Sequence, residues 1–445
     1  MSSRVYQLLR VTYWRLPLSQ SLKERIASYL RRLTRGRTNQ TVVADDQREL
    51  VLLRDYVAQV LAIPGRSGSE FVPLREDPVQ VRADDPKIVA YYLPQFHPTA
   101  ENDRWWGRGV TEWNNVSRAV PQFVGHYQPR LPGELGYYDL RLLENIERQV
   151  ELARGHGVHS FCYYYYWFDG HRLLDRPLNA FVGARHIDYP FFLCWANESW
   201  TRRFDGTCGE VLMAQSDTAE SYRAFIGSAI GYMRDPRYVR VRGRPVLVVY
   251  RPSFVPDCRA TLDAWREACV KAGVGEPYLI GVMEHTWNRE SDLLAHGFDA
   301  QSEFHPGTLF RHCTEITRQI DFMRSDFGGL VFDYADIVFN EKFRLTSGRK
   351  LHRAVMPMWD NTPRRDHMGM IFQGSTPELY RRWLCEVLKE TRRKTAAGEL
   401  DDSFVFINAW NEWGEGAYLE PDARFGYAYL EATRLALEQA RPQAA

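Results

Sequence analysis

Near its C-terminal end the chain reads Asn411-Glu412-Trp413-Gly414-Glu415-Gly416, directly after an apolar run, Phe404 to Ala409, with the character of a buried β-strand. Two carboxylates and an indole therefore stand where a strand gives way to a loop. Breaking a glycosidic bond needs such a pair: one group gives a proton while the other takes one or steadies cationic character. On an extended chain Glu412 and Glu415 face opposite ways, whereas in a helical turn or tight loop they share one side. Gly414 and Gly416 are expected to permit that turn. The competing reading, a capped turn with solvated glutamates, sits poorly with apolar flanks that make idle carboxylates costly.

Similar groups follow the other apolar runs. Tyr92 closes the first run, and His97, Trp106, Glu112 and Trp113 come after it. Trp167 ends the second, Trp195 with Asn197, Glu198 and Trp200 the third, Glu284 the fifth, and Trp359 with Asp360 the seventh. Ten of the 13 tryptophans fall in such end segments, Trp14, Trp265 and Trp383 being the exceptions. Tryptophans used only as filler would scatter over helix faces as well. Gathered at run ends with carboxylates and amides, they read as a pocket with aromatic platforms, suited to the apolar faces and hydroxyl rim of sugar rings. The candidate binding residues are thus Tyr92, His97, Trp106, Trp113, Trp167, Trp195, Asn197, Glu198, Trp200, Glu284, Trp359, Asp360, Asn411 and Trp413, around a catalytic pair Glu412 and Glu415. About half of the tryptophans are expected to be structural, given the area each must bury.

The elements that must hold these groups alternate along the chain. Strands are expected at 87–93, 158–166, 190–196, 245–250, 278–284, 298–302, 352–358 and 403–410, with helices clearest at 140–155, 218–234, 259–272, 375–397 and 422–438. Eight buried strands alternating with helices indicate parallel βα units, and eight closes a (β/α)8 TIM barrel over 87–440 whose functional groups gather at the C-terminal strand ends. The alternative, a doubly wound open sheet, would bring a glycine-rich phosphate turn after the first strand, and Tyr91-Tyr92-Leu93-Pro94-Gln95 has none.

Residues 1–80 are expected to form a separate N-terminal, helical and basic extension and linker. Residues 1–40 carry nine Arg and Lys against one acid, Glu24, a net of +8. Ser21 and Glu24 match a capping box, and Leu22, Ile26, Tyr29, Leu30 and Leu33 share one helical face. The segment reads either as a peripheral membrane-surface anchor or as a helix packed on the barrel with a solvated basic face. A second helix is expected over 46–62.

Composition excludes several classes. The 445 residues are 44% apolar and 25% charged with a formal net charge of +1, an ordinary globular balance with no case for nucleic acid. Seven cysteines without a CxxC pair, among them Cys162 and Cys194 inside strand-like runs, fit buried free thiols in a cytoplasmic protein better than a disulfide framework. No stretch approaches the ~20 apolar residues of a membrane span. No metal-spaced Cys/His set, Walker loop or GxSxG occurs, so neither metal nor cofactor is expected. Asp-x-Asp is missing too, which counts against a metal- and nucleotide-sugar-dependent transferase.

The run Asn411 to Pro421 resembles the Glu-Trp-x-Glu-Gly…Glu-Pro signature of glycoside hydrolase family 99, the endo-acting α-mannosidases and mannanases. Ala90-Tyr91-Tyr92-Leu93-Pro94-Gln95-Phe96-His97-Pro98, with Trp106-Gly107, Gly109 and Thr111-Glu112-Trp113, more closely resembles the WbsX-type branch, as does Trp195 to Trp200. That branch comprises family-99-like proteins of bacterial surface-polysaccharide (lipopolysaccharide O-antigen) gene clusters, often labelled glycosyltransferases. The resemblance spans about residues 87–437. It implies that Glu412 deprotonates the substrate's own 2-hydroxyl, giving a 1,2-anhydro sugar, and that Glu415 protonates the leaving oxygen and then deprotonates the incoming water or acceptor. Gly414 stands where the hydrolases usually carry His, so the sugar is left open. Asn197-Glu198 also resembles the acid/base pair of the large retaining-glycosidase clan, which would make Glu198 the acid/base and Glu412 a nucleophile.

Three functions remain open: a glycosidase-like enzyme cutting a cell-surface polysaccharide or its lipid-linked precursor, a glycosyltransferase or transglycosylase of the same polymer, and a non-catalytic carbohydrate-binding barrel.

Overall fold

Each of the eight apolar runs forms a parallel strand. In chain order they are β1 (Lys87–Tyr92), β2 (Val158–Phe168), β3 (Phe191–Trp195), β4 (Arg244–Val249), β5 (Tyr278–Val282), β6 (Ala300–Ser302), β7 (two stretches, Leu351–His352 and Ala354–Val355) and β8 (Phe404–Ile407). The computed structural model describes residues 42–62, 67–201, 210–216, 218–283, 293–307, 309–340 and 350–442. The basic segment 1–40 and Glu284 lie outside the described residues.

Successive strands pair in parallel from β1 to β6, with one register shift between β1 and β2 at Ile88/Val89. β7 pairs with β6 through Leu351–His352 and with β8 through Ala354–Val355, and β8 pairs back with β1. The sheet therefore closes on itself, which leaves no edge strand and rules out the doubly wound alternative. The break in β7 is Arg353, whose buried guanidinium reaches Glu303 at 2.8 Å and Glu390 at 3.0 Å.

The outer layer holds α1 (Leu143–Gly155), α2 (Arg176–Gly183), α3 (Ala219–Met233), α4 (Cys258–Lys271), α5 (Tyr334–Phe339), α6 (Pro377–Ala396) and α7 (Ala428–Gln439). Their starts are coded locally. Thr218 accepts from the Ser221 N–H and Thr376 from the Leu379 N–H, and Pro377 occupies the first turn of α6, where its missing N–H costs nothing.

Strand alternation sorts the aromatic side chains. On β2, Tyr163 packs on Phe181 of α2 and the Tyr165 hydroxyl bonds Ser228 of α3 at 2.6 Å, so odd positions face the helices. Even positions face the barrel interior: Tyr164 lies 5.8 Å from Tyr91 and 5.7 Å from Tyr250. Cys162 and Cys194 are fully buried free thiols.

The long loops gather at the C-terminal end of the barrel. β1 is followed by short helices Ala100–Trp106 and Glu112–Arg118. β7 is followed by Trp359–Asp360, helix Thr362–Arg365 and a small sheet that pairs Met370–Gln373 with Trp359–Asp360 and with Leu330–Asp333. The helix expected over 46–62 spans Val42–Ala62 and rests on the loop after β1, with the Tyr56 hydroxyl on the Pro121 carbonyl at 3.1 Å and the Gln59 amide on the His126 carbonyl at 2.8 Å. Among the described residues, no helix is long and apolar enough to cross a membrane.

Candidate active site

Asn411–Glu412 pairs antiparallel with Ala417–Tyr418, and Trp413–Glu415 forms a single 3₁₀ turn between them. With three residues per turn, side chains three apart eclipse, which puts Glu412 and Glu415 on one side. Gly416 closes the turn at φ 59°, a left-handed position that suits glycine. Gly414 serves differently from expectation. Its φ is ordinary, but a Cβ there would lie 2.0 Å from Glu112 Oε1 and 2.8 Å from Arg364 Nε. Its bare Cα makes room for an ion pair.

That ion pair centres the site. Arg364 donates from Nε to Glu112 Oε1 at 2.9 Å and from Nη2 to Glu412 Oε1 at 2.8 Å, while its Nη1 lies 3.0 Å from Glu415 Oε1. Gln95, from the end of β1, donates to both Glu412 oxygens at 3.1 and 3.3 Å. The Glu412 side chain is 10% exposed and that of Glu415 26%. The two side chains thus converge on Arg364, with Glu415 nearer solvent.

Asp360 works beneath this arrangement. It is fully buried, accepts from Gln128 Nε2 at 2.6 Å and Thr362 N–H at 3.0 Å, and lies 2.7 Å from His126 Nε2. His126 Nδ1 accepts from the Gln122 N–H at 2.9 Å, so its Nε2 carries the hydrogen and donates to Asp360. Burial works to raise the Asp360 pKa, but His126 and Arg130 hold it well below the usual carboxylate range. The residue pins the first turn of the helix that carries Arg364.

Electrostatics follow from burial and crowding. Burial pushes Glu412 up to about 8, against the pull of Arg364 and with Glu415 and Glu112 adding repulsion. Glu415 is raised as well, chiefly by burial. Burial opposes the Arg364 charge, yet three carboxylates hold its pKa far above the ordinary value. One guanidinium faces three carboxyl groups, so Glu412 and Glu415 gain by keeping a proton between them. Behind the turn, Glu420 accepts from Trp413 Nε1 and Gln149 Nε2, each at 2.6 Å, and from the Tyr138 hydroxyl at 2.9 Å. Burial lifts it to about 7 against those donors.

The candidate binding residues divide into two groups. Trp195 stacks on Phe225 of α3 with centroids 4.1 Å apart, Trp167 lies near the same ring, and Tyr92 bonds Gln149 of α1 at 2.6 Å, so all three face the helix layer. Trp113 donates to the Tyr138 carbonyl at 2.8 Å, and Trp413 stacks on Tyr418 at 3.7 Å. These two, with buried Trp359, build the walls behind the turn rather than an open platform. Asn411 is fully buried against Leu93, and His97 is buried beside Pro94, its pKa lowered by burial. Asn197 exchanges two 2.8 Å bonds with the Arg251 backbone, while the Glu198 carboxylate accepts from Arg251 Nε at 2.8 Å. Glu198 is thus neutralised by its own arginine.

Trp200 and Trp106 stay half-buried on the loops. Trp200 lies 5.2 Å edge-on from Tyr166 and 5.8 Å from Trp105, and the Tyr166 hydroxyl feels the charges of Glu412 and Arg364. Sequence reading passed over Tyr164, Tyr166, Tyr250 and Arg364, and it placed Gln95 and Glu112 after the first run without counting them among the candidate site residues. Tyr164 and Tyr166 share one run with Tyr163 and Tyr165, Tyr250 follows another, and neither run marks which parity faces inward; Arg364 carries no signal either, being one arginine among many. Among the described residues, no cluster of His, Cys, Asp and Glu is arranged to hold a metal ion.

The chain is thus a closed (β/α)8 barrel that carries its acidic residues at the mouth formed by the C-terminal strand ends. The chain belongs to the WbsX glycosyltransferase family, whose model, described as "Glycosyltransferase WbsX", matches residues 88–433. It is 45% identical over 353 residues to "Uncharacterized protein WxcX" of Xanthomonas campestris pv. campestris, in strain B100 and in strain ATCC 33913, covering 79% of this chain and 50% of each relative. The chain therefore spans about half the length of the curated relatives it matches. Among solved structures it is similar to a glycoside hydrolase-like protein (15% identity, TM-score 0.50, covering 83% of this chain and 98% of that one). It is also similar to the GH99 endo-α-mannosidase from Bacteroides thetaiotaomicron in complex with bis-tris-propane (13% identity, TM-score 0.50, covering 81% and 98%). At such identities the likeness establishes the fold.

Proposed function

We propose that the chain acts on glycosidic bonds of a bacterial cell-surface polysaccharide or its lipid-linked precursor, with Glu412 and Glu415 as the reacting pair. The observation that carries this reading is the convergence of both carboxylates on one guanidinium, at 2.8 and 3.0 Å. A pair that shares a proton can give one and take one within a single event. In the proposed cycle Glu412 takes the proton of the sugar's own 2-hydroxyl, O2 attacks the anomeric carbon, and Glu415 protonates the departing oxygen. The 1,2-anhydro sugar is then opened by water or a sugar hydroxyl that gives its proton to Glu415, while Glu412 returns a proton to O2. In the substrate-free site burial favours the proton on Glu412, so this route requires it to pass to Glu415 as the 2-hydroxyl donates to Glu412. The more exposed position of Glu415 suits the group that meets leaving group and acceptor.

Transfer to a sugar hydroxyl instead of water is the second reading, favoured by the family's description. Residues 1–40 would then keep a cytoplasmic enzyme on the inner membrane, near lipid-linked glycans.

The test incubates purified protein with its host's polysaccharide, with and without nucleotide sugar, beside Glu412→Gln and Glu415→Gln. Chains shortened by wild type alone support hydrolysis, and elongation supports transfer. Binding with no turnover in any form overturns the enzymatic reading. An aryl glycoside with a good leaving group assigns the roles, because it restores a variant lacking the acid but not one lacking the base. Restoration of Glu412→Gln instead of Glu415→Gln would exchange them.

A further inference from the structure

We infer that Glu112 is a positioning residue for this reaction: it holds the Arg364 guanidinium in the gap between Glu412 and Glu415, and Gly414 is the opening through which it reaches. The inference rests on the reading of Glu412 and Glu415 as the reacting pair.

Glu112 is itself held on both sides. It opens helix Glu112–Arg118, whose start is fixed by a capping box: Thr111 Oγ1 accepts from the Trp113 N–H at 3.3 Å, and Asn114 Oδ1 accepts from the Thr111 N–H at 2.8 Å. One turn on, Asn115 Nδ2 donates to Glu112 Oε1 at 3.3 Å. The carboxylate is 2% exposed and accepts from Arg364 Nε at 2.9 Å. A guanidinium is planar, with donors in a fixed fork, so anchoring Nε decides where Nη1 and Nη2 point. Here one terminal nitrogen is left for each member of the pair.

Released at Nε, the fork would be free to turn onto the more buried Glu412 and bind it bidentately, the stronger arrangement. That carboxylate would stay ionised and leave the exchange of protons. Glu112 blocks this by occupying the third edge of the guanidinium. Gly414 completes the fit, since any Cβ would lie 2.0 Å from Glu112 Oε1. Among the described residues, the charged and titratable groups facing the pair are Arg364 and Arg365 from the loop after β7, Glu112 from the loop after β1, Tyr166 from β2 and Tyr250 at the end of β4.

The test follows the carboxyl resonances of ¹³C-glutamate-labelled full chain through a pH titration. Wild type is compared with Glu112→Gln and Gly414→Ala, with Glu412→Gln and Glu415→Gln supplying the assignments. Both test variants are expected to move the Glu412 midpoint to lower pH and shift the basic limb of the pH–rate profile the same way. Turnover should fall on the order of 100-fold, the cost of a misplaced reacting group. A double variant no worse than either single one would place both residues on one path. A folded Glu112→Gln with unmoved Glu412 titration overturns the inference. If Glu112→Gln does not fold, an unmoved Glu412 titration in Gly414→Ala overturns it equally. Should wild type titrate as described yet turn over no glycan, the reaction fails while the hold of Glu112 on Arg364 stands.

Discussion

The side-chain amide of Asn411 brackets the backbone of Leu93, accepting from its N–H at 2.8 Å and donating to its carbonyl at 3.0 Å. Residues 318 apart in the chain are joined at the point where β1 ends and the carboxylate-bearing hairpin begins. Only a group with one donor and one acceptor at this spacing satisfies both backbone atoms.

We therefore predict that Asn411→Asp, which keeps the size but loses the donor, leaves the Leu93 carbonyl facing a buried carboxylate. The expected cost is about 2–4 kcal/mol, as for a buried polar group deprived of its partner. Urea unfolding would read this as a lower midpoint at unchanged slope. Stability within ~0.5 kcal/mol of wild type would show that the bracket contributes little.

The raised Glu412 pKa carries a stability signature. Its folded value of about 8 lies above the ordinary glutamate value of 4.5, so between those values the folded state binds more protons than the unfolded state. Stability then falls as pH rises across that window. We predict that the melting temperature of wild type declines from about pH 5 to about pH 8 and that Glu412→Gln declines less steeply. Parallel curves for the two proteins would contradict the burial argument.

Position, one on a barrel strand and the other on the loop that follows it, predicts opposite outcomes for two tryptophans near each other in the chain. Trp195 is 2% exposed and stacked on Phe225, so Trp195→Ala should cost about 3–5 kcal/mol through the cavity it leaves. Trp200 sits half-buried at the rim beside Tyr166, and Trp200→Ala should leave thermal stability nearly unchanged while raising KM for glycan. Differential scanning calorimetry paired with steady-state kinetics decides both, and a stable, weak-binding Trp195→Ala would reverse the assignment.

The barrel was legible in the chain because a strand covered on both faces reads as an unbroken apolar run, and all eight runs proved to be strands. The gathering of Glu412 and Glu415 was legible too, since a three-residue spacing around a tight turn is a local property of the chain. Parity was not. Runs such as Val158 to Phe168 are apolar on both faces, so nothing in them says that Tyr164 and Tyr166 look inward while Tyr165 and Trp167 look outward.

By itself, the order of residues determined the closed α/β architecture and the pair of acids at one strand end. Hydrophobic periodicity and turn chemistry act over a few residues and can be read there. Only tertiary structure decided that Arg364 stands between those acids, with Glu112 at its back 252 residues away and Gly414 leaving the space. Ionic contacts between distant loops depend on where barrel closure brings their ends. That is a property of the whole fold, which no short window of sequence contains.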